Sequence, residues 1–310
     1  MIIVKDLIKR YKEIVALDNF NLRVEDGEIY GLLGPNGSGK TTAISSIISI
    51  IPYDSGEIYL FGEKMSPNKF EIKKNIGYVP QELAFMNELT VYENIDFFAG
   101  LYIYDKNERK KLVEEAIDFC GLENFRKFRP NKLSGGLKRR LNIACGICHR
   151  PKLIFFDEPT VAVDPQSRNK ILEGIKELNS NGSTIVYTSH YMEEVEYLCN
   201  RLTIIDKGRN LITGTKKQIT EKTSLKDKLI INEINIDREK VDKIKKLPYI
   251  DSITYEDKTL CISLGSDMAI GTIITFLKEN NIYYEDLNIK QANLNDVFLE
   301  VTGKELRDNV

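Results

Sequence analysis

A largely parallel α/β sheet followed by a small α+β domain is the architecture this sequence predicts, and three observations carry it. Apolar runs of strand length alternate with helical stretches through the first two-thirds of the 310 residues. One run, Leu153-Ile154-Phe155-Phe156, is continuously apolar, the mark of a strand covered on both faces. Beyond about residue 220 the composition turns polar and charged, and a second order of elements begins. A chain of this length favours about two domains.

In chain order, residues 28–33 read as a strand, a glycine-rich turn follows, and residues 40–50 read as a helix. Residues 57–61 are a strand bounded by Gly56 and Gly62, and 91–102 and 108–119 are helical. After the buried strand, Pro165 opens a helix to about residue 178; proline suits a first turn, where its missing N–H costs nothing. Residues 184–187 and 202–205 are further strands. Residues 221–228 read as a charged linker. A strand (229–233), helix (238–247), strand (250–255), its hairpin partner (259–264), helix (269–279) and strand (283–289) then give the order βαββαβ, that of a ferredoxin-like domain. A last helix covers 294–301. The domains are expected at 1–220 and 221–310, with no internal repeat in either.

The net charge of −2 argues against a nucleic-acid binder working through a basic surface. The cluster Lys138-Arg139-Arg140 is read as a solvated helix face. The N-terminal residues lack the long apolar run of a secretory signal. The most apolar early stretch, 44–51, is interrupted by Ser45, Ser46 and Ser49 and is too short to span a bilayer. The chain is therefore expected to be soluble by itself, with any membrane role coming through a partner. Five scattered cysteines read as reduced thiols. Cys145-Gly146-Ile147-Cys148-His149 matches the pattern for c-type haem attachment, but that chemistry needs export, and the apolar spacing around it reads instead as a packed helix with buried thiols.

The glycine-rich turn is Gly34-Pro35-Asn36-Gly37-Ser38-Gly39-Lys40-Thr41, the P-loop octet, set after a strand and before a helix. Glycines let successive N–H groups converge on an anion, and a helix N-terminus adds free donors and a favourable dipole. Lys40 supplies a point charge for β- and γ-phosphates, Thr41 a hydroxyl for Mg²⁺, and Thr42 completes the binding segment. The buried strand at 153–156 ends in Asp157-Glu158. Two adjacent carboxylates there are costly unless they have work to do. Asp157 is the candidate Mg²⁺ holder and Glu158 the candidate general base for an attacking water.

Leu133-Ser134-Gly135-Gly136-Leu137-Lys138-Arg139-Arg140 resembles the LSGGQ-type signature of ABC ATPases, and lies where that family places it, shortly before the Asp-Glu strand. The motifs together span about the first 220 residues. The resemblance implies a P-loop NTPase cassette with a mostly parallel core, an antiparallel β subdomain and a helical subdomain. It implies that ATP and Mg²⁺ are sandwiched between two such subunits, in a homodimer or heterodimer, with Ser134, Gly135 and Gly136 facing the γ-phosphate held by the other. It assigns Gln81 to the Q-loop, His190 to the switch beside the γ-phosphate, Asp164 to the D-loop at the dimer seam, and Tyr11 to the aromatic that stacks on adenine. It departs at Leu137, where glutamine is common, and at Ala162-Val163 before Asp164, which puts the dimer contacts in question. The tail at 293–303 resembles export ATPases of the daunorubicin-resistance type and favours export over import. The implied protein is an ATPase subunit that powers a separate transmembrane permease, peripheral at the cytoplasmic face of the membrane. Two other readings stay open: a non-transport relative in translation or DNA repair, and a regulatory module that binds ATP without turnover.

Overall fold

Leu7, Phe20 and Ile58 come from three strands of one antiparallel sheet and all reach zero exposure, because that sheet lies over the first helix of the chain. Its strand order is Ile14–Val24, Ile2–Tyr11, Ser55–Leu60, Glu63–Lys64. The computed structural model describes residues 1–223, 226–265, 268–290 and 293–302. Beside the antiparallel sheet is a six-stranded one, ordered Arg209–Gly214, Arg201–Asp206, Ile29–Leu33, Thr184–Ser189, Leu153–Asp157, Ile76–Val79. All its pairings are parallel except the first, a hairpin. Side chains of both sheets and of helix Lys40–Ile47 share one apolar core, in which Ile44, Phe155 and Val186 are buried. Helices Val91–Gly100, Lys106–Phe119 and Gly135–Ile147 pack on one another as a separate helical layer.

The helix starts are written in the sequence. Thr90 and Glu93 form a reciprocal capping box. Asp105, Ser134 and Asp164 each accept a backbone N–H one turn on, satisfying donors a helix cannot satisfy itself. The helix expected over 40–50 stops at Ile47: Ser49 takes a left-handed φ of 55°, and the N–H of Ile50 closes back on the Ser45 carbonyl at 2.8 Å. The two N-terminal strands were not expected from the periodicity. Asp6 and Asn19 sit at positive φ, and the register shifts between Val4 and Arg10, so the alternation that marks a strand is broken.

A second compact unit begins at Lys217, the first comprising Met1–Lys216. Its sheet runs Ile250–Glu256, Thr259–Leu264, Lys228–Asn232, Asp286–Lys290, every neighbour antiparallel. With helices Arg238–Lys245 and Met268–Glu279 this is the ferredoxin-like arrangement. Leu229, Ile231, Leu260, Ile262 and Leu264 alternate into a core completed by Ile244, Ile273 and Leu277. The last strand starts at Asp286, not 283, because its partner runs only as far as Asn232, where Asp286 pairs. The expected linker at 221–228 is partly structured: helix Lys216–Lys222 covers its start and a strand opens at Lys228, while residues 224 and 225 lie outside the described set, as do 303–310 of the expected second domain.

Candidate functional site

The parallel strands Ile29–Leu33, Leu153–Asp157 and Thr184–Ser189 lie side by side and release their loops at the same edge. The glycine turn leaves the first of them. Gly39 holds φ 109°, and a Cβ there would stand 2.7 Å from the Ala16 carbonyl oxygen, so only glycine fits between the turn and the antiparallel sheet. Lys40 opens the helix and folds back over the turn. Its ammonium, buried, donates to the carbonyls of Gly34 (2.8 Å) and Pro35 (3.1 Å) and meets Glu158 Oε1 at 2.9 Å. Asn36 and Gly37 are exposed at the tip of the turn, and Ser38 Oγ is buried without a hydrogen-bond partner.

Asp157 ends strand Leu153–Asp157, which is separated from Ile29–Leu33 by strand Thr184–Ser189, and Glu158 follows it; the two carboxyls meet different electrostatic conditions. Burial pushes the Asp157 carboxyl above its ordinary value, against hydrogen bonds from Thr188 and Thr41 that pull the other way. Its Oδ1 accepts from Thr188 Oγ1 at 2.7 Å, while Oδ2 is buried with no hydrogen-bond partner. Burial also pushes Glu158 up, but the hydrogen bond from His190 and the charge of Lys40 outweigh it, and the carboxyl stands below the usual glutamate range. His190 Nδ1 donates to Glu158 Oε2 at 3.0 Å. Glu158 holds φ 48°, a strained value for a residue with a Cβ, which turns its carboxylate toward Lys40 and His190. Thr188 serves both neighbours: it donates to Asp157 and accepts the Glu158 N–H at 3.0 Å.

Lys40, Thr41, Asp157, Glu158 and His190 are therefore brought together, with Thr42 half-buried one residue further along the helix. The other sequence-expected residues make their contacts elsewhere. Ser134 is exposed and caps the helix Gly135–Ile147 through the Leu137 N–H; Gly135 is exposed and Gly136 buried. A Cβ on Gly136 would stand 2.5 Å from Ser167 Oγ and 3.3 Å from Asp164 Oδ2, so the signature turn and the D-loop touch within one chain. Asp164 is exposed, and the Ser167 N–H keeps its carboxyl below the ordinary aspartate range. Tyr11 is 47% exposed at a strand end, with the Lys9 ammonium 4.8 Å from its ring centre.

The basic cluster corrects one expectation. Only Lys138 resembles the solvated face read from the sequence, and it is half-buried. Arg139 is 7% exposed and donates to the carbonyls of Gln81 (2.8 Å) and Pro80 (3.3 Å). Arg140 donates to the carbonyls of Cys120 and Gly121. Asn142, one turn on, takes the Ala84 N–H at 2.8 Å and donates to the Pro80 carbonyl at 3.0 Å. Gln81 thus has its backbone held while its side chain is exposed. The haem-like pattern dissolves as expected: Cys145 and Cys148 are buried, burial pushes the Cys148 thiol up to about 12, and His149 Nε2 is committed to the Ile76 carbonyl. Thr188 and Arg139 are site residues the sequence reading missed. Thr188 stands two residues before His190, and its hydroxyl at a strand end was the available signal.

A glycine turn around a buried lysine, opposite an acidic strand end on a parallel sheet, defines a P-loop nucleotide triphosphatase. The ABC transporter family model matches residues 17–161. The linearmycin resistance ATP-binding protein LnrL of Bacillus subtilis is 36% identical over 99% of this chain and all of its own length. A Nod factor export ATP-binding protein I of Burkholderia thailandensis is 33% identical over 97% of this chain and 96% of its own. A dimeric, post-hydrolysis structure of the ATP-binding cassette MJ0796 bound to ADP and Pi superposes with a TM-score of 0.65 at 30% identity, covering 69% of this chain and 98% of the cassette. The chain belongs to the family of ABC transporter ATP-binding subunits, and it is an ATPase.

Proposed function

We propose that this ATPase drives an exporter through a separate membrane permease, and that two copies, or one copy and a close relative, close around two ATP–Mg²⁺. The observation that carries the reading is the convergence of Lys40, Glu158 and His190 in a buried site at the end of a parallel sheet. The two relatives are named for linearmycin resistance and Nod factor export, which supports outward transport. The MJ0796 cassette is described as dimeric, which supports the paired arrangement.

Mg²⁺ fits the residues present. Asp157 Oδ2 is a buried carboxylate oxygen lacking a partner, and the Thr41 hydroxyl helps to lower the pKa of the same carboxyl. These two would hold the ion, with Gln81 beside them; when bound, it neutralises charge on the phosphates. Lys40 binds the β- and γ-phosphates, with backbone N–H groups of residues 36 to 39 and the hydroxyls of Thr41 and Thr42 around them. Glu158, held ionised by its neighbours, accepts the proton of the attacking water. His190 orients Glu158 and adds a donor toward the γ-phosphate. Ser134, Gly135 and Gly136 of the second subunit close the site from the other side, Asp164 lines the seam, and Tyr11 receives the adenine.

No helix among the described residues is long and apolar enough to cross a membrane. In this reading the path through the bilayer belongs to the permease, and the ATPase sits peripherally at the cytoplasmic face. A groove of about 390 Å³ between Ile50, Tyr78, Pro80, Phe98 and Tyr102 is the seat for the permease's apolar segment. Leu101 (56% exposed) and Tyr104 (83% exposed), which flank Tyr102 in the chain, are exposed apolar side chains as well.

Substituting Glu158→Gln tests the pairing. With saturating ATP–Mg²⁺ the variant is expected to elute as a dimer on size-exclusion chromatography and to release phosphate at under about a hundredth of the parent rate, the scale of losing a general base. A variant that stays monomeric, or turns over normally, removes the basis of the reading.

A further inference from the structure

Glu194 is a carboxylate with no exposure, and nothing above uses it. An isolated charge in that position is costly, so the way it is compensated is informative. Arg168 Nε stands 2.6 Å from its Oε1. The hydroxyls of Tyr187 (2.8 Å) and Ser189 (2.7 Å) both donate to its Oε2. Three elements therefore meet on one side chain. Arg168 is in the first turn of helix Pro165–Ser180, just after Asp164; Tyr187 and Ser189 end strand Thr184–Ser189; and Glu194 is in helix Met192–Leu198.

Only His190 and Tyr191 connect that strand to that helix, and both are gripped by the same cluster. The Tyr191 N–H donates to Ser189 Oγ at 2.9 Å. The Arg168 guanidinium lies 4.8 Å from the centre of the Tyr191 ring, which also meets the His190 imidazole at 4.1 Å between centroids. His190 in turn donates to Glu158. Tyr187 reaches the Glu158 side of the site as well, 3.4 Å from Thr160 Oγ1. A continuous chain of contacts thus leads from the D-loop helix, through Arg168, to the imidazole that faces the candidate base.

We propose that Arg168 is a positioning residue for ATP hydrolysis: held by Glu194 and laid over Tyr191, it fixes the His190 ring against Glu158. This rests on the reading that His190 and Glu158 act at the γ-phosphate. It places the angle of His190 under the control of the helix that begins at the D-loop. A lysine cannot reproduce it fully, since a compact ammonium lacks the planar face that covers Tyr191.

The chain has two histidines, which makes the test specific. In full-length protein labelled at histidine with nitrogen-15, His190 and His149 give separable ring signals, assigned by His190→Ala. His149 has its own partners, the Ile76 carbonyl and the Tyr102 ring, and serves as the internal reference. Arg168→Ala is expected to move the His190 signals, leave those of His149 in place, and lower kcat about tenfold with KM for ATP within about twofold, as misplacement of a reacting group does. Arg168→Lys is expected to fall between the two. Unmoved His190 signals, or equal movement of both histidines with kcat and KM changed together, overturn the proposal. If Arg168→Ala does not fold, Glu194→Gln is read in the same way: it keeps the shape, removes the charge, and must also move His190 alone. His190→Ala separates the two layers of the argument. Normal turnover in that variant defeats the underlying reading; an inactive His190→Ala beside a fully active Arg168→Ala defeats this inference only.

Discussion

The two central sheets of this chain bury their strands in opposite ways. In the first unit, strands Ile29–Leu33, Leu153–Asp157 and Thr184–Ser189 are buried at every residue, polar ones included. In the second, Thr259–Leu264 buries alternate residues only, and its core consists of apolar side chains alone. Every buried polar or charged residue among those described lies in the first unit. A sheet covered on both faces cannot turn a polar side chain to solvent, so those at its strand ends must satisfy one another. That constraint packs Asp157, Glu158, Thr188 and Ser189 into a pre-formed site, whereas a sheet core made by alternation excludes charge and makes a scaffold.

The largest effect expected from this contrast is at Lys40. Lys40→Ala should abolish measurable ATP binding by calorimetry and lower phosphate release by more than about a hundredfold, the loss of a preorganised charge. Binding close to that of the parent would mean that the buried pair with Glu158 is structural only. Thr188→Val comes next, since it deletes one hydroxyl and leaves Asp157 Oδ1 and the Glu158 N–H unpaired. Stability should fall by about 1–3 kcal/mol in urea titration, the usual cost of stranding buried polar groups, with a rate loss of at least about tenfold.

The scaffold side is tested at Ile262, which is fully buried in the second unit. Ile262→Ala should destabilise by about 2–5 kcal/mol while kcat stays within about twofold of the parent. A collapse of kcat at full occupancy of the folded state would show that the two units are coupled in catalysis. The smallest effect is electrostatic. Glu158 stands below its ordinary value of 4.5, so the stability it contributes is complete above that pH and is lost as the pH falls through the lower folded value. Asp157 is shifted upward and works in the opposite sense, which makes the difference between parent and Glu158→Gln the quantity to measure. The parent's urea midpoint should drop more steeply than the variant's below pH 4.5, and parallel curves would mean that His190 and Lys40 do not hold the carboxylate ionised.

What was legible beforehand follows the range of the interactions. The P-loop octet and Asp157-Glu158 are contiguous, and their chemistry is set by spacing along the chain. The helix caps were equally local. The N-terminal strands were not legible from periodicity, though the family resemblance implied an antiparallel β subdomain, because Asp6 and Asn19 at positive φ break the alternation that marks a strand. Lys138-Arg139-Arg140 was misread for a different reason. Three adjacent cations look solvated until the structure supplies carbonyl oxygens of residues 80, 81, 120 and 121, acceptors that no local pattern announces. Arg168 and Glu194 are 26 positions apart, and neither carries a signal until two helices and a strand end bring them together.

The grip of Arg139 and Asn142 on residues 80 to 84 has a mechanical consequence. Four hydrogen bonds from one helix to one short loop leave that loop little freedom to shift unless the helix shifts with it. The same helix begins at Ser134, so a displacement imposed at the loop is carried to the serine end as a lever carries it, without intervening side chains having to repack. Under the proposed pairing, pressure from a neighbouring molecule on residues 80 to 84 and the aim of Ser134 toward a second subunit are then two readings of one rigid rod.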